Sequence, residues 1–342
     1  MPRRKIAAGL MLAGSLLAAT QTSAHAFTAQ QVDKGVTVTG AGATFPLNMI
    51  EQWRADFKKS TGVTIAYTGV GSGAGRTQLI NGTIDFAGSD VLASATEVSA
   101  LKGKYKGGFV YVPEIGGAIG IAYKVKGVPP GIKLTASDIA KIFSGKVAYW
   151  DSEVITDDNP GVDFPHTPVQ VIVRSDKSGT SGNFSAYLDG AGGSDWGYGY
   201  REQFPTDHQQ IGKAGSDGVA NAVAAANGGI TYTEISFIKE RALAMAVVKN
   251  GAGQFAYADE DGAAKAIDQA KVNADGSVSM NFTSTATGVY PISAVTYLLI
   301  PVKMDGKKLD NLKAFLTYAL GDGQKKAKKL SYVPLPPKII NA

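Results

Sequence analysis

Residues 40–75 read GAGATFPLNMIEQWRADFKKSTGVTIAYTGVGSGAG, one helical and one strand-like pattern set between two Gly/Ala-rich segments. Pro46 suits a first helical turn, Met49, Ile50, Trp53 and Phe57 recur on one helix face, and Gly62 supplies a stop. Val63 to Thr68 is then a short β-branched and aromatic run that reads as a strand. Working outward, strand-like runs return at Phe109 to Val112, Val169 to Val173 and Ile230 to Thr233, with helical patterns between them. One of these, Leu309 to Leu320, sets Leu312, Phe315, Leu316 and Ala319 on a core face and ends at Gly321. Alternation of this kind predicts an α/β architecture with largely parallel sheets.

The amino terminus has a different character. Arg3, Arg4 and Lys5 precede an apolar run of about fourteen residues, too short to span a bilayer, and the small-residue segment Ser23-Ala24-His25-Ala26 follows. Residues 1–26 therefore read as a secretory signal peptide cleaved after Ala26, leaving a mature chain from Phe27 that diffuses freely in the periplasm or outside the cell. The chain has no cysteine, which excludes disulfides, thiolate metal sites and a lipid-accepting residue. Three of the charges behind the net +5 lie in the leader, so the remainder is close to neutral and does not suggest a nucleic-acid partner. About 316 residues remain, beyond the size at which one core stops growing, so two domains are expected.

Glycine is abundant, 42 of 342 residues, without a fixed period, and no repeat is visible. The run Lys325, Lys326, Lys328 and Lys329 reads as a solvated helix face, and Gly190 to Tyr200, with Trp196, Tyr198 and Tyr200, as a surface loop.

Three strand-to-helix junctions have a composition suited to an anion. Gly40 to Pro46 lets backbone approach a ligand and adds the Thr44 hydroxyl; Gly69 to Gly75 can form a nest of amides around Ser72. Arg174 to Ser181 offers a guanidinium that grips two oxygens, with Ser178, Thr180 and the Gly179 amide as further donors. Any one of them is also readable as an ordinary turn. Together they fall where α/β folds place ligands, at the carboxyl ends of strands. Asp90, in Gly88-Ser89-Asp90, reads either as a helix cap or turn residue or as an acceptor for the proton of hydrogen phosphate, a proton that sulfate lacks.

Catalytic patterns are missing. No G-x-S-x-G elbow, P-loop or G-x-G-x-x-G fingerprint occurs, and His166 and His208, which remain after the leader, lack metal-ligand spacing. No enzyme activity, cofactor or metal is expected. Two alternatives stay open: a phosphoesterase using Ser72 or Thr180 as nucleophile, and a secreted adhesion or sensory protein.

In this order, the segments Gly40 to Pro46, Gly71 to Gly75, Asp85 to Asp90, Ile115-Gly116-Gly117, Gly145-Lys146 with Trp150-Asp151, Arg174 to Ser181 and Gly229 to Glu234 resemble the PstS-type periplasmic phosphate-binding proteins. The resemblance implies a two-lobed binding-protein fold of type II with two hinge crossings, near Ala122 to Lys124 and Pro291 to Thr296. Lobe I would hold residues 27–122 and 296–342, and lobe II residues 123–295. It also implies a monomer that binds phosphate through Thr44, the Phe45 amide, Ser72, Asp90, Arg174, Ser178, Gly179 and Thr180, with Asp176 paired to Arg174. The implied partners are inorganic phosphate and the membrane subunits of an ABC importer. Departures from the family pattern are Lys177 in place of Gly, Gly182-Asn183 in place of apolar residues, and residues 190–210, which align poorly. Lys177 is read as facing solvent, or else as adding positive potential at the cleft mouth.

Overall fold

The computed structural model describes residues 32–341. The signal-peptide reading falls on residues 1–26, outside the described residues. Among the described residues no helix is long and apolar enough to cross a membrane.

The backbone follows the opening stretch closely. Strand β1 (Val38–Gly42) leads into helix α1 (Leu47–Thr61), which buries Met49, Ile50, Trp53 and Phe57 and ends where Gly62 turns left-handed, its amide returning to the Lys58 carbonyl. Strand β2 (Ile65–Gly69) pairs parallel with β1, and helix α2 (Ser72–Asn81) follows. Gly75 permits α2 to lie directly on β1, because a Cβ there would stand 2.5 Å from the Gly42 Cα and 2.6 Å from the Ala41 carbonyl oxygen.

After β3 (Phe86–Ser89) and helix α3 (Ala95–Lys104), strand β4 runs from Phe109 to Lys124. It is far longer than the run from Phe109 to Val112 suggests. Ile115 to Tyr123 is buried on both faces, so nothing in that segment alternates or stops it. Strands β5 (Gln170–Arg174), β6 (Ile211–Lys213) and β7 (Gly229–Glu234) follow, and β8 (Ser293–Pro301) closes the sheet. The spatial order is β2-β1-β3-β8-β4-β7-β5-β6.

Parallel pairing holds only in the outer parts, β1 with β2 and β3, and β5 with β6 and β7. The centre is antiparallel, which corrects the expectation of largely parallel sheets. The reason lies in β4. Its first part pairs with β8 as far as Ala118↔Ser293, and from Ile119↔Glu234 its partner is β7. A chain that goes out on one extended strand and returns on another must run oppositely on the two, and two half-sheets then share one continuous strand. Each half carries its own helices, while the buried apolar residues of the two halves join into one contiguous cluster through β4.

Helix α6 (Gly306–Leu320) begins three residues before Leu309, because the Asp305 carboxylate caps it by accepting the Lys307 and Lys308 amides. Leu312, Phe315 and Ala319 are buried as expected, and Leu316 only partly. The basic run forms no helix face. It lies on two 3₁₀ turns, Asp322–Lys326 and Lys328–Leu330, with Lys326 paired to Asp56 at 2.8 Å. Nor is Gly190 to Tyr200 a plain surface loop. Helix α4 (Gly179–Ala191) enters it, and Trp196 is buried against Phe204 and Tyr198.

Candidate anion-binding site

Four helix starts converge between the lobes. The amino end of α1 brings Thr44 and Phe45, that of α2 brings Ser72, that of α4 brings Ser178, Gly179 and Thr180, and helix α5 (Gly215–Ala225) brings Ser216. Hydrogen bonds join them in pairs across the lobes. The Ser216 amide donates to Thr44 Oγ1 at 3.0 Å, the two hydroxyls lie 2.9 Å apart, and the Gly179 amide donates to Ser72 Oγ at 3.1 Å. The Gly73 amide donates to the Lys177 carbonyl at 2.9 Å. The start of a helix carries partial positive charge, so four helix starts meeting here favour an anion.

Local sequence explains the approach. Gly71 has φ 89°, and a Cβ there would stand 2.2 Å from Asp176 Oδ2. At Gly179 a Cβ would meet Ser72 Oγ at 2.6 Å and the Asp90 backbone nitrogen at 2.9 Å. Ser178 caps α4 by accepting the Ser181 amide at 3.2 Å, so its side chain is held at the helix start.

Arg174, at the end of β5, is 1% exposed. Its Nε and Nη2 donate to the two oxygens of Asp176 at 2.7 and 2.5 Å, and the Gly215 amide also donates to Asp176 at 3.0 Å. Burial alone would raise Asp176, but Arg174 and Gly215 prevail and hold its carboxyl below the usual carboxylate range. The pair expected between Arg174 and Asp176 is thus present, and it locks the plane of the guanidinium.

Asp90 is no helix cap. The capping residue of α3 is Ser94, in a capping box with Glu97. Asp90 instead accepts from Thr180 at 3.1 Å on Oδ2 and from Thr296 at 2.9 Å on Oδ1, while its amide donates to Ser72 Oγ at 3.3 Å. Burial pushes Asp90 up to about 6, opposed by Thr296, Arg174 and Thr180. An ionised carboxylate is therefore buried beside an arginine in an otherwise donor-rich region, where it supplies the acceptor that such a region lacks.

Every candidate residue is brought to this place. Thr44, Phe45, Ser72, Asp90, Arg174, Ser178, Gly179 and Thr180 are all buried, and Asp176 is partly so. Sequence reasoning missed Ser216, although Gly215-Ser216-Asp217-Gly218 repeats the Gly/Ser signal at a strand-to-helix junction. It also missed Thr296 and Glu114, which carry no local signal because they sit in the continuous apolar runs of β8 and β4.

Lys177 joins the lobes instead of simply facing solvent. Its Nζ lies 2.9 Å from Glu97 and 3.9 Å from Glu202, while buried Arg76 lies 2.5 Å from Glu202 and 3.1 Å from Glu97. Burial would raise Glu97, but the Ser94 amide, Lys177 and Arg76 hold it down at about 2. Asn183, another departure, donates to the Asp90 carbonyl at 2.7 Å. Both departures therefore reinforce the contact between lobes.

Comparison with known proteins agrees with this geometry. A profile of the PBP superfamily domain matches residues 21–322. The chain is 33% identical to the phosphate-binding protein PstS of Xylella fastidiosa, covering 90% of this chain and 84% of that one. It is 36% identical to the phosphate-binding protein PstS 2 of Mycobacterium tuberculosis, covering 86% and 82%. The chain belongs to the PstS family. Among solved structures, the high-affinity periplasmic phosphate-binding protein PfluDING bound with phosphate superposes with a TM-score of 0.71 at 24% identity, over 90% of this chain and 92% of that one, and supports the fold.

Proposed function

We propose that this PstS-family chain captures inorganic phosphate between its lobes outside the cytoplasmic membrane and passes it to the membrane subunits of an ABC-type importer. The observation that carries the reading is Asp90, a buried carboxylate set among the donors of four helix starts and Arg174. A wholly donor-lined cleft suits any oxyanion. One acceptor among the donors suits an oxyanion that still carries a proton.

Thr44, the Phe45 amide, Ser72, Ser178 and Arg174 would donate to the phosphate oxygens, the Gly179 amide and the Thr180 hydroxyl would join them by turning from Ser72 and Asp90 to the ligand, and Asp90 would accept from the P–OH group. The two lobes, expected as residues 27–122 with 296–342 and residues 123–295, keep that outline in this reading, and the change of partner between Ala118 and Ile119 favours crossings a few residues earlier, within β4 before Ala122 and at the start of β8. Phosphate shifts the equilibrium toward closed lobes because only the closed form makes every contact. Binding without turnover is favoured by the state of Ser72, whose hydroxyl oxygen already accepts from two amides and, among the described residues, bonds no histidine.

Titration calorimetry of the purified chain with inorganic phosphate, alone and with sulfate as competitor, tests the reading. One phosphate per chain, undisturbed by equimolar sulfate, is the expected result. Absence of binding would favour an adhesion or sensory role, and equal affinity for the two anions would remove Asp90 from its place in the argument.

Gly179→Ala gives a check on closure. The added methyl would press on Ser72 Oγ, which can rotate away, and on the Cβ and backbone nitrogen of Asp90 from the opposite lobe, which cannot. Phosphate affinity should fall by at least about tenfold, the equivalent of about 1.4 kcal/mol, with the ligand-free melting temperature little changed. Unaltered affinity would mean that the lobes do not close through this contact.

A further inference from the structure

Behind Asp90 lies a second buried carboxyl that the anion-gripping shell does not include. Glu114, on β4, is 1% exposed. Its Oε1 lies 3.3 Å from Thr296 Oγ1, which also lies 2.9 Å from Asp90 Oδ1 and 3.5 Å from the Ser89 carbonyl. A threonine hydroxyl has one hydrogen and two lone pairs, so it cannot donate to all three oxygens. Two ionised carboxyls competing for that hydrogen in a buried site would also repel each other. The proton belongs on Glu114. Asp90 has Thr180 as a second donor and feels Arg174 and Arg76, whereas Thr296 is the hydrogen-bond partner of the Glu114 carboxyl among the described residues. Protonated, Glu114 donates to a lone pair of Thr296 Oγ1, and the threonine hydrogen is left for Asp90.

We propose that Glu114 is a positioning residue for phosphate capture: as a neutral acid it donates to Thr296, commits that hydroxyl to Asp90, and so keeps Asp90 an acceptor for the ligand's proton. The proposal rests on the phosphate reading and adds a group that touches no ligand. Titration follows the same order as the geometry, since burial and the Asp90 charge push Glu114 up to about 8, above Asp90. Apart from the guanidinium groups of Arg174 and Arg76, the groups facing this cluster are neutral ones. Tyr67, from β2, donates to the Ala43 carbonyl and is raised well above its ordinary value by burial and by the Glu114 and Asp90 charges. Tyr332 donates to the Phe45 carbonyl and is likewise raised, first by burial. Gln324 donates to the Glu114 backbone carbonyl. When Glu114 ionises, a second negative charge appears behind Asp90 and contests the Thr296 hydrogen.

The test is phosphate calorimetry at about pH 7 and about pH 9.5, on either side of that ionisation, for wild type, Glu114→Gln and Glu114→Leu. Glutamine keeps a donor toward Thr296 and cannot ionise, so the wild-type affinity should fall about tenfold more than that of Glu114→Gln between the two values. The ligand's own titration is common to both proteins and cancels. Glu114→Leu, with no donor, should bind more weakly than Glu114→Gln at both values. Superimposable profiles for wild type and Glu114→Gln would overturn the proposal, and if Glu114→Leu fails to fold that comparison decides alone. A wild-type chain that binds no phosphate at either pH overturns the functional reading itself, and the role of Glu114 with it.

Discussion

Arg174→Ala should reduce phosphate affinity by about 10² to almost 10⁴-fold, in line with the roughly 3–5 kcal/mol lost when one partner of a buried charge pair is removed. Two costs combine. The oxygens that the guanidinium would grip face an emptied, desolvated pocket, and Asp176 loses the partner that holds its carboxyl below the usual range. The truncation therefore removes a positive charge and exposes the anion to a carboxylate formerly neutralised. Arg174→Lys should recover only part of the loss, because an ammonium cannot make the two parallel bonds to Asp176 and grip the ligand as well. Calorimetry with phosphate reads both variants. Unchanged affinity in Arg174→Ala would mean that the anion binds elsewhere.

Asp90→Asn should collapse discrimination between phosphate and sulfate, by a factor of up to about 10⁴, the scale on which a site built around a ligand's hydrogen bond rejects an analogue. Asparagine presents N–H as well as C=O, so sulfate no longer meets an unbalanced acceptor and phosphate loses a charged partner for its proton. Stability separates this outcome from misfolding. Burial raises the folded Asp90 to about 6, above its ordinary 3.8. The folded state then holds the proton more tightly than the unfolded chain, so wild-type stability falls as pH rises from about 4 to about 6 and stays reduced above that. Removing the charge should make the ligand-free Asp90→Asn variant melt no lower than wild type at neutral pH. A selectivity ratio that survives the substitution would assign discrimination to another group.

Much of this architecture was legible because it depends on local rules. Helix α1 could be read from Pro46, four apolar residues on one face and Gly62, each acting within a turn of its neighbours. The gripping segments were legible for a similar reason. A backbone that must touch a ligand or another backbone excludes side chains, and Gly71 and Gly179 record that exclusion in the sequence. Strand β4 was less legible. Its pairing changes from β8 to β7 in mid-strand, and a strand buried on both faces is equally apolar wherever that change falls. Lys177 and Glu202 were opaque as well, because each finds its partner about eighty residues or more away in the other lobe.

By itself the sequence determined the alternating α/β elements, the Gly/Ser junctions at helix starts and the presence of one arginine and one aspartate suited to a protonated oxyanion. These follow from what single residues permit their own backbone and immediate neighbours to do. Tertiary structure alone decided that four helix starts meet, that Ser216 bonds Thr44 and Thr296 bonds Asp90, and that Glu114 stands behind Asp90. The physical reason is that burial and the sharing of one hydroxyl hydrogen are properties of groups brought together by the fold. The protonation state of a carboxyl is set by those neighbours and by its distance from water, and no spacing along the chain encodes either.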